Sequence, residues 1–102
     1  MYGLIIDPGK APQGRFLPNT QSELEQLLGG TFRIHPMARS SAALLYVPGE
    51  GRELPNRRYI DRWYYGRLVI VGYDRRQSQM RDLSEADEAC LAGKWMGVEA
   101  ER

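Results

Sequence analysis

Leu68-Val69-Ile70-Val71 is an unbroken apolar run set between Arg67 and Gly72. Side chains of a strand alternate between its two faces, so a run with no polar alternate has to be covered on both. It reads as the central strand of a sheet, Arg67 to Tyr73, and the rest of the chain must supply the cover. At 102 residues there is room for one domain, 1–102, burying roughly two-thirds of the surface its unfolded chain exposes. An apolar fraction of 42% with 26% charged residues is enough for that core and argues against disorder.

The other elements follow from local signals. Tyr2 to Asp7 reads as a first strand closed by the turn Asp7-Pro8-Gly9, and Gly14-Arg15-Phe16-Leu17 as a short edge strand between prolines. Thr20-Gln21-Ser22-Glu23 fits a capping box opening a helix to Leu28, with Leu24, Leu27 and Leu28 on one face and Gly29-Gly30 as its stop. Thr31 to His35 and Ala42 to Val47 read as strands, ended by Pro36 and by Pro48-Gly49-Glu50-Gly51. The stretch from Leu54 to Gly66 reads as a long loop, and Asp74 to Arg81 as a polar loop. Ser84, with Asp87 three residues on, caps a helix from Glu85 to Lys94 that turns Ala86, Ala89, Cys90 and Leu91 inward. Residues 95–102 read as a frayed tail. The economical architecture is α+β, a small mixed or antiparallel sheet of about four to five strands with two short helices packed on it.

Charge is the second informative feature. The formal net charge is only +1, but Arg52 to Arg81 holds eight arginines against Glu53, Asp61 and Asp74, whereas Asp82 to Glu101 holds six acids against Lys94. This asymmetry makes the chain self-complementary, which predicts a homo-oligomer. Within the basic stretch, Asn56, Arg57, Arg58, Tyr59, Arg62, Trp63, Tyr64 and Tyr65 form the candidate ligand-binding set. Guanidinium forks grip phosphate or carboxylate, aromatic faces stack on bases, and Asn56 tolerates a left-handed loop conformation. The same aromatics also suit a core, and Arg57 suits a brace on loop carbonyls.

Catalytic chemistry has no comparable pattern. His35 and Cys90 are single and far apart in sequence, no His, Cys or carboxylate pair has metal-ligand spacing, and Pro8-Gly9-Lys10 lacks the rest of a phosphate loop. The expectation is no enzyme, no cofactor and no metal. One cysteine excludes an intrachain disulfide and fits a reducing compartment. No apolar run approaches the ~20 residues of a membrane span, and the apolar start is too short for a signal peptide. A cytoplasmic protein that engages no membrane is expected. The balanced charge makes nucleic acid an unlikely partner.

Leu27-Leu28-Gly29-Gly30, Pro55-Asn56-Arg57, Gly66 to Gly72, Leu83-Ser84-Glu85-Ala86-Asp87 and the opening strand with Asp7-Pro8-Gly9-Lys10-Ala11-Pro12 together resemble the domain of unknown function 3846 family. These are small proteins of phages and conjugative elements. The resemblance spans nearly the whole chain and implies a mobile-element origin in a bacterial host cytosol, but no activity. Before Gly66, where the family pattern carries an acid, this chain has Trp63-Tyr64-Tyr65. The resulting expectation is a non-enzymatic accessory protein acting in counter-defence, which sequesters a small phosphorylated ligand such as a cyclic nucleotide. The alternative is an inhibitor masking a host or defence protein; single-stranded nucleic-acid binding ranks third.

Overall fold

The computed structural model describes residues 1–37, 40–48, 55–59 and 62–94, with the side chains at 55, 57–59, 62 and 92–94 outside that description. In chain order the elements are β1 (Tyr2–Ile6), β2 (Gln13–Phe16), α1 (Gln21–Leu28), β3 (Arg33–Pro36), β4 (Ala42–Tyr46), β5 (Pro55–Tyr59), β6 (Arg62–Tyr65), β7 (Leu68–Asp74), β8 (Gln79–Arg81) and α2 (Glu85–Lys94). The main sheet has the order β2-β1-β7-β4-β3, with β8 paired to the last three residues of β7. Every pairing in it is antiparallel. The fold is α+β, as the sequence predicts.

β7 is the middle strand, held between β1 and β4. Its residues divide by alternation. Leu68 and Ile70 join Leu4, Ile6, Leu44, Tyr46, Tyr64, Leu83 and Leu91 on one face, while Val69 and Val71 join Ile5, Leu45, Leu17, Leu24, Leu28 and Phe32 on the other. The second face is covered by α1, whose buried Leu24 and Leu28 each contribute about 1.5–3 kcal/mol through burial. The helix begins where predicted: Thr20 Oγ1 accepts from the Glu23 N–H at 3.3 Å and donates to the Glu23 carboxylate at 2.7 Å. It ends at Gly29, which takes the left-handed conformation (φ 91°) and donates its N–H to the Glu25 carbonyl.

Three expectations need correction. The segment read as a long loop contains the two-stranded sheet β5–β6, and the polar loop after Asp74 contains β8. The hairpin strands do not alternate apolar and polar residues, and β8, Gln79-Met80-Arg81, alternates over only three residues, too few to stand out in a polar stretch. β8 is positioned instead by its turn, where Asp74 Oδ1 accepts from the N–H groups of Arg76 and Gln77 at 2.9 and 3.3 Å. Helix α2 also presents a different face from the one predicted. Ala86, Ala89 and Cys90 are exposed, and the docked side is Asp87, Glu88 and Leu91. Small side chains carry too little apolar area to orient a helix. Here Asp87 Oδ2 accepts the Ser41 N–H at 3.2 Å, Glu88 Oε2 accepts the Tyr2 hydroxyl, and Leu91 is buried. Ser84 caps the helix as expected, its Oγ accepting the Asp87 N–H at 3.1 Å. The tail 95–102 lies outside the described residues. No described helix is long and apolar enough to cross a membrane.

Candidate functional site

The hairpin β5–β6 pairs Arg57 with Tyr64, Arg58 with Trp63 and Tyr59 with Arg62. Between Pro55 and Arg57 its register shifts, so Asn56 is an extra residue on β5. Such a bulge re-aims the side chain it adds. Asn56 is fully buried, at 0% exposure, and its Nδ2 donates to the Ile6 carbonyl at 2.7 Å and the Gly66 carbonyl at 2.6 Å. Two carbonyl acceptors need both hydrogens of the amide. Asn56 therefore fastens the hairpin to the end of β1 and to the turn leading into β7, where Gly66 adopts φ 72°. The left-handed loop conformation expected of Asn56 is not found; among the described residues Ser78 is the one non-glycine with positive φ. Burial puts Asn56 out of a ligand's reach and gives it the bracing role that the sequence had offered to Arg57.

The aromatics separate in the same way. Tyr64 is buried and meets Tyr46 edge-to-face with ring centroids 4.8 Å apart, which makes it a second anchor for the hairpin. Trp63 and Tyr65, its neighbours along the strand, are half-buried. Of the eight candidate residues, Asn56 and Tyr64 thus belong to the framework and Trp63 and Tyr65 remain accessible. The side chains of Arg57, Arg58, Tyr59 and Arg62 lie outside the described residues.

Tyr65 also lines a pocket of about 320 Å³ at the base of the hairpin, with Asp7, Leu27, Leu28, Gly29, Val47, Gly66 and Arg67. The Arg67 guanidinium binds Asp7 through Nε to Oδ1 at 2.7 Å and Nη2 to Oδ2 at 3.4 Å, and Nη1 donates to the Leu27 carbonyl at 3.4 Å. One cation thereby joins β1, the carboxyl end of α1 and the start of β7, in the place where a helix dipole favours positive charge. The Arg67–Asp7 pair leaves the pocket's described lining without net charge, and Leu27, Leu28 and Val47 set apolar surface beside that polar pair. Such a lining suits a flat ring with a hydrogen-bonding edge better than a bare anion.

Asp7, Leu27, Val47 and Arg67 were not among the sequence candidates. The available signal was positional, since Asp7 closes β1 and Arg67 opens β7, but nothing in the sequence placed them together. Among the described residues no group of His, Cys, Asp or Glu could hold a metal ion. His35 is half-buried on β3, and Cys90 is exposed on α2. Comparison with protein-family models, curated proteins and solved structures finds no match for this chain.

Proposed function

We propose that the protein acts by binding and not by catalysis, sequestering a small phosphorylated ligand with a flat ring, such as a cyclic nucleotide. The ring enters the pocket beside Tyr65, and we assign the phosphate to the arginine-rich hairpin that adjoins it, whose sequence carries Arg57, Arg58 and Arg62. The observation that carries this reading is the juxtaposition of a pocket of about 320 Å³, lined by Tyr65 and without net charge, with a hairpin bearing three arginines. That volume sits at the small end of ligand sites, about 300–1,000 Å³, which favours a mononucleotide over a larger ligand. Resemblance to proteins of phages and conjugative elements supports a role in counter-defence, within the cytosol of a bacterial host. A homo-oligomer that shares the site between copies is part of this reading.

The test is thermal stability against a panel of cyclic and linear nucleotides. A ligand at 100 times its Kd adds about 2.7 kcal/mol. Tyr65→Ala should weaken binding roughly tenfold, within the 1–3 kcal/mol of a stacked base. No shift with any nucleotide, together with no small molecule released on heat denaturation, would refute the proposal. The second reading, an inhibitor that masks a host or defence protein, is favoured by Phe16, 85% exposed on the edge strand β2. Tyr, Trp and Arg also dominate protein interfaces, so the hairpin suits that role too.

A further inference from the structure

The opposite end of the β4–β7 pair carries a second concavity, about 220 Å³, lined by Ser40, Ser41, Tyr73, Asp74, Arg75, Arg76 and Arg81. Three of its lining residues are arginines from one tight hairpin: Arg75 and Arg76 lie in the β7–β8 turn, and Arg81 ends β8, paired with Gly72. Arg75 is held by one bond, Nη2 to the Met37 carbonyl at 2.6 Å. Among the described residues the side chains of Arg76 and Arg81 make no hydrogen bond or ion pair. The one carboxylate in the lining, Asp74, uses its Oδ1 to accept from the turn amides of Arg76 and Gln77. The lining therefore carries a net charge of +2.

We infer that this concavity is an anion site for a phosphate group, as inorganic phosphate or a small phosphomonoester. Guanidinium forks match the oxygens of phosphate in pairs, and a dianion cancels the surplus charge. The Tyr73 ring supplies a flat wall, and Ser40, whose hydroxyl donates to the Met37 carbonyl at 3.4 Å, also lines the concavity. A nucleic-acid backbone fits less well. At the rim, Asp87 Oδ2 holds the Ser41 N–H, so a chain of phosphates running past the pocket on that side meets a carboxylate. This site is separate from the pocket at the hairpin base and does not depend on the function proposed for it.

Calorimetric titration with inorganic phosphate and then pyrophosphate, in low-salt chloride buffer, tests the inference. The wild type should bind one equivalent saturably. Arg76→Ala/Arg81→Ala should weaken binding at least tenfold with an unchanged circular dichroism spectrum. Arg15→Ala/Arg33→Ala, which removes the same charge from the edge strands, should leave it intact. Absence of saturation in the wild type, or equal losses in the two double variants, would overturn the inference. So would binding of single-stranded oligonucleotides that tightens with length and weakens steeply with salt, since that describes a polyanion surface.

Discussion

At the two ends of the β4–β7 pair the chain uses arginine in opposite ways. Arg67, just before β7, makes three bonds, to both oxygens of Asp7 and to the Leu27 carbonyl in the last turn of α1. Past the other end of β7, Arg76 and Arg81 face a concavity with no partner among the described residues, and Arg75 makes a single bond. The first arrangement joins three elements and leaves a pocket whose lining has no net charge. The second adds little to stability and leaves charge available. Arginine content alone does not distinguish them; what differs is what the neighbouring carboxylate binds, since Asp7 takes the Arg67 guanidinium whereas Asp74 takes the turn amides of Arg76 and Gln77.

The strongest way to break this comparison is at the framework end. Asn56→Ala leaves the Ile6 and Gly66 carbonyls without their donor, and buried unsatisfied groups cost about 1–3 kcal/mol each. A loss of about 3 kcal/mol is expected, read as a lower midpoint in urea denaturation. If Asn56→Ala is as stable as the wild type, the hairpin is not fastened there. Arg67→Met should cost less, about 0.5–1 kcal/mol, because the Arg67–Asp7 pair is partly exposed, with side chains 38% and 27% accessible. That loss should shrink in high salt. At the other end, Arg76→Ala/Arg81→Ala should change stability by no more than about 0.5 kcal/mol, the range of surface substitutions without partners.

The last prediction concerns the acidic helix beside the arginine concavity, and its effect develops only in alkali. The Tyr2 hydroxyl donates to Glu88, and this bond, with smaller contributions from burial and the negative charge of Glu88, raises the Tyr2 pKa above its ordinary value of 10.0. The protonated phenol is the bonded form. Its contribution is therefore complete below pH 10 and is lost as pH rises through the raised value. Denaturation midpoints of the wild type and Tyr2→Phe should differ at neutral pH and converge in strong alkali. A constant gap would show that the bond does not hold α2 in place.

Much of the fold was legible because it rests on patterns local to each segment. The apolar run in β7, the Thr20 and Ser84 caps and the Gly29 stop each carry their own physical reason within a few residues. What was not legible depends on contacts across the chain. The hairpin β5–β6 is anchored by Asn56 on Ile6 and by Tyr64 on Tyr46, partners 50 and 18 positions away. The docked face of α2 is set by Ser41 and Tyr2, which no periodicity within the helix reveals. For the same reason the candidate site was only partly readable. Composition marked the arginines and aromatics, but the split between buried Tyr64 and accessible Tyr65 needed the strand's register, and Asp7 beside Arg67 needed the sheet.

The most direct test of the whole account is one amide-resolved NMR titration, first with a cyclic mononucleotide and then with inorganic phosphate alone. The account predicts that the nucleotide moves the resonances of the hairpin β5–β6, Asp7 and Arg67, while phosphate moves those of Ser41 and Tyr73 to Arg81. A nucleotide that leaves the hairpin unmoved, or two ligands that shift a single common set of residues, would contradict it.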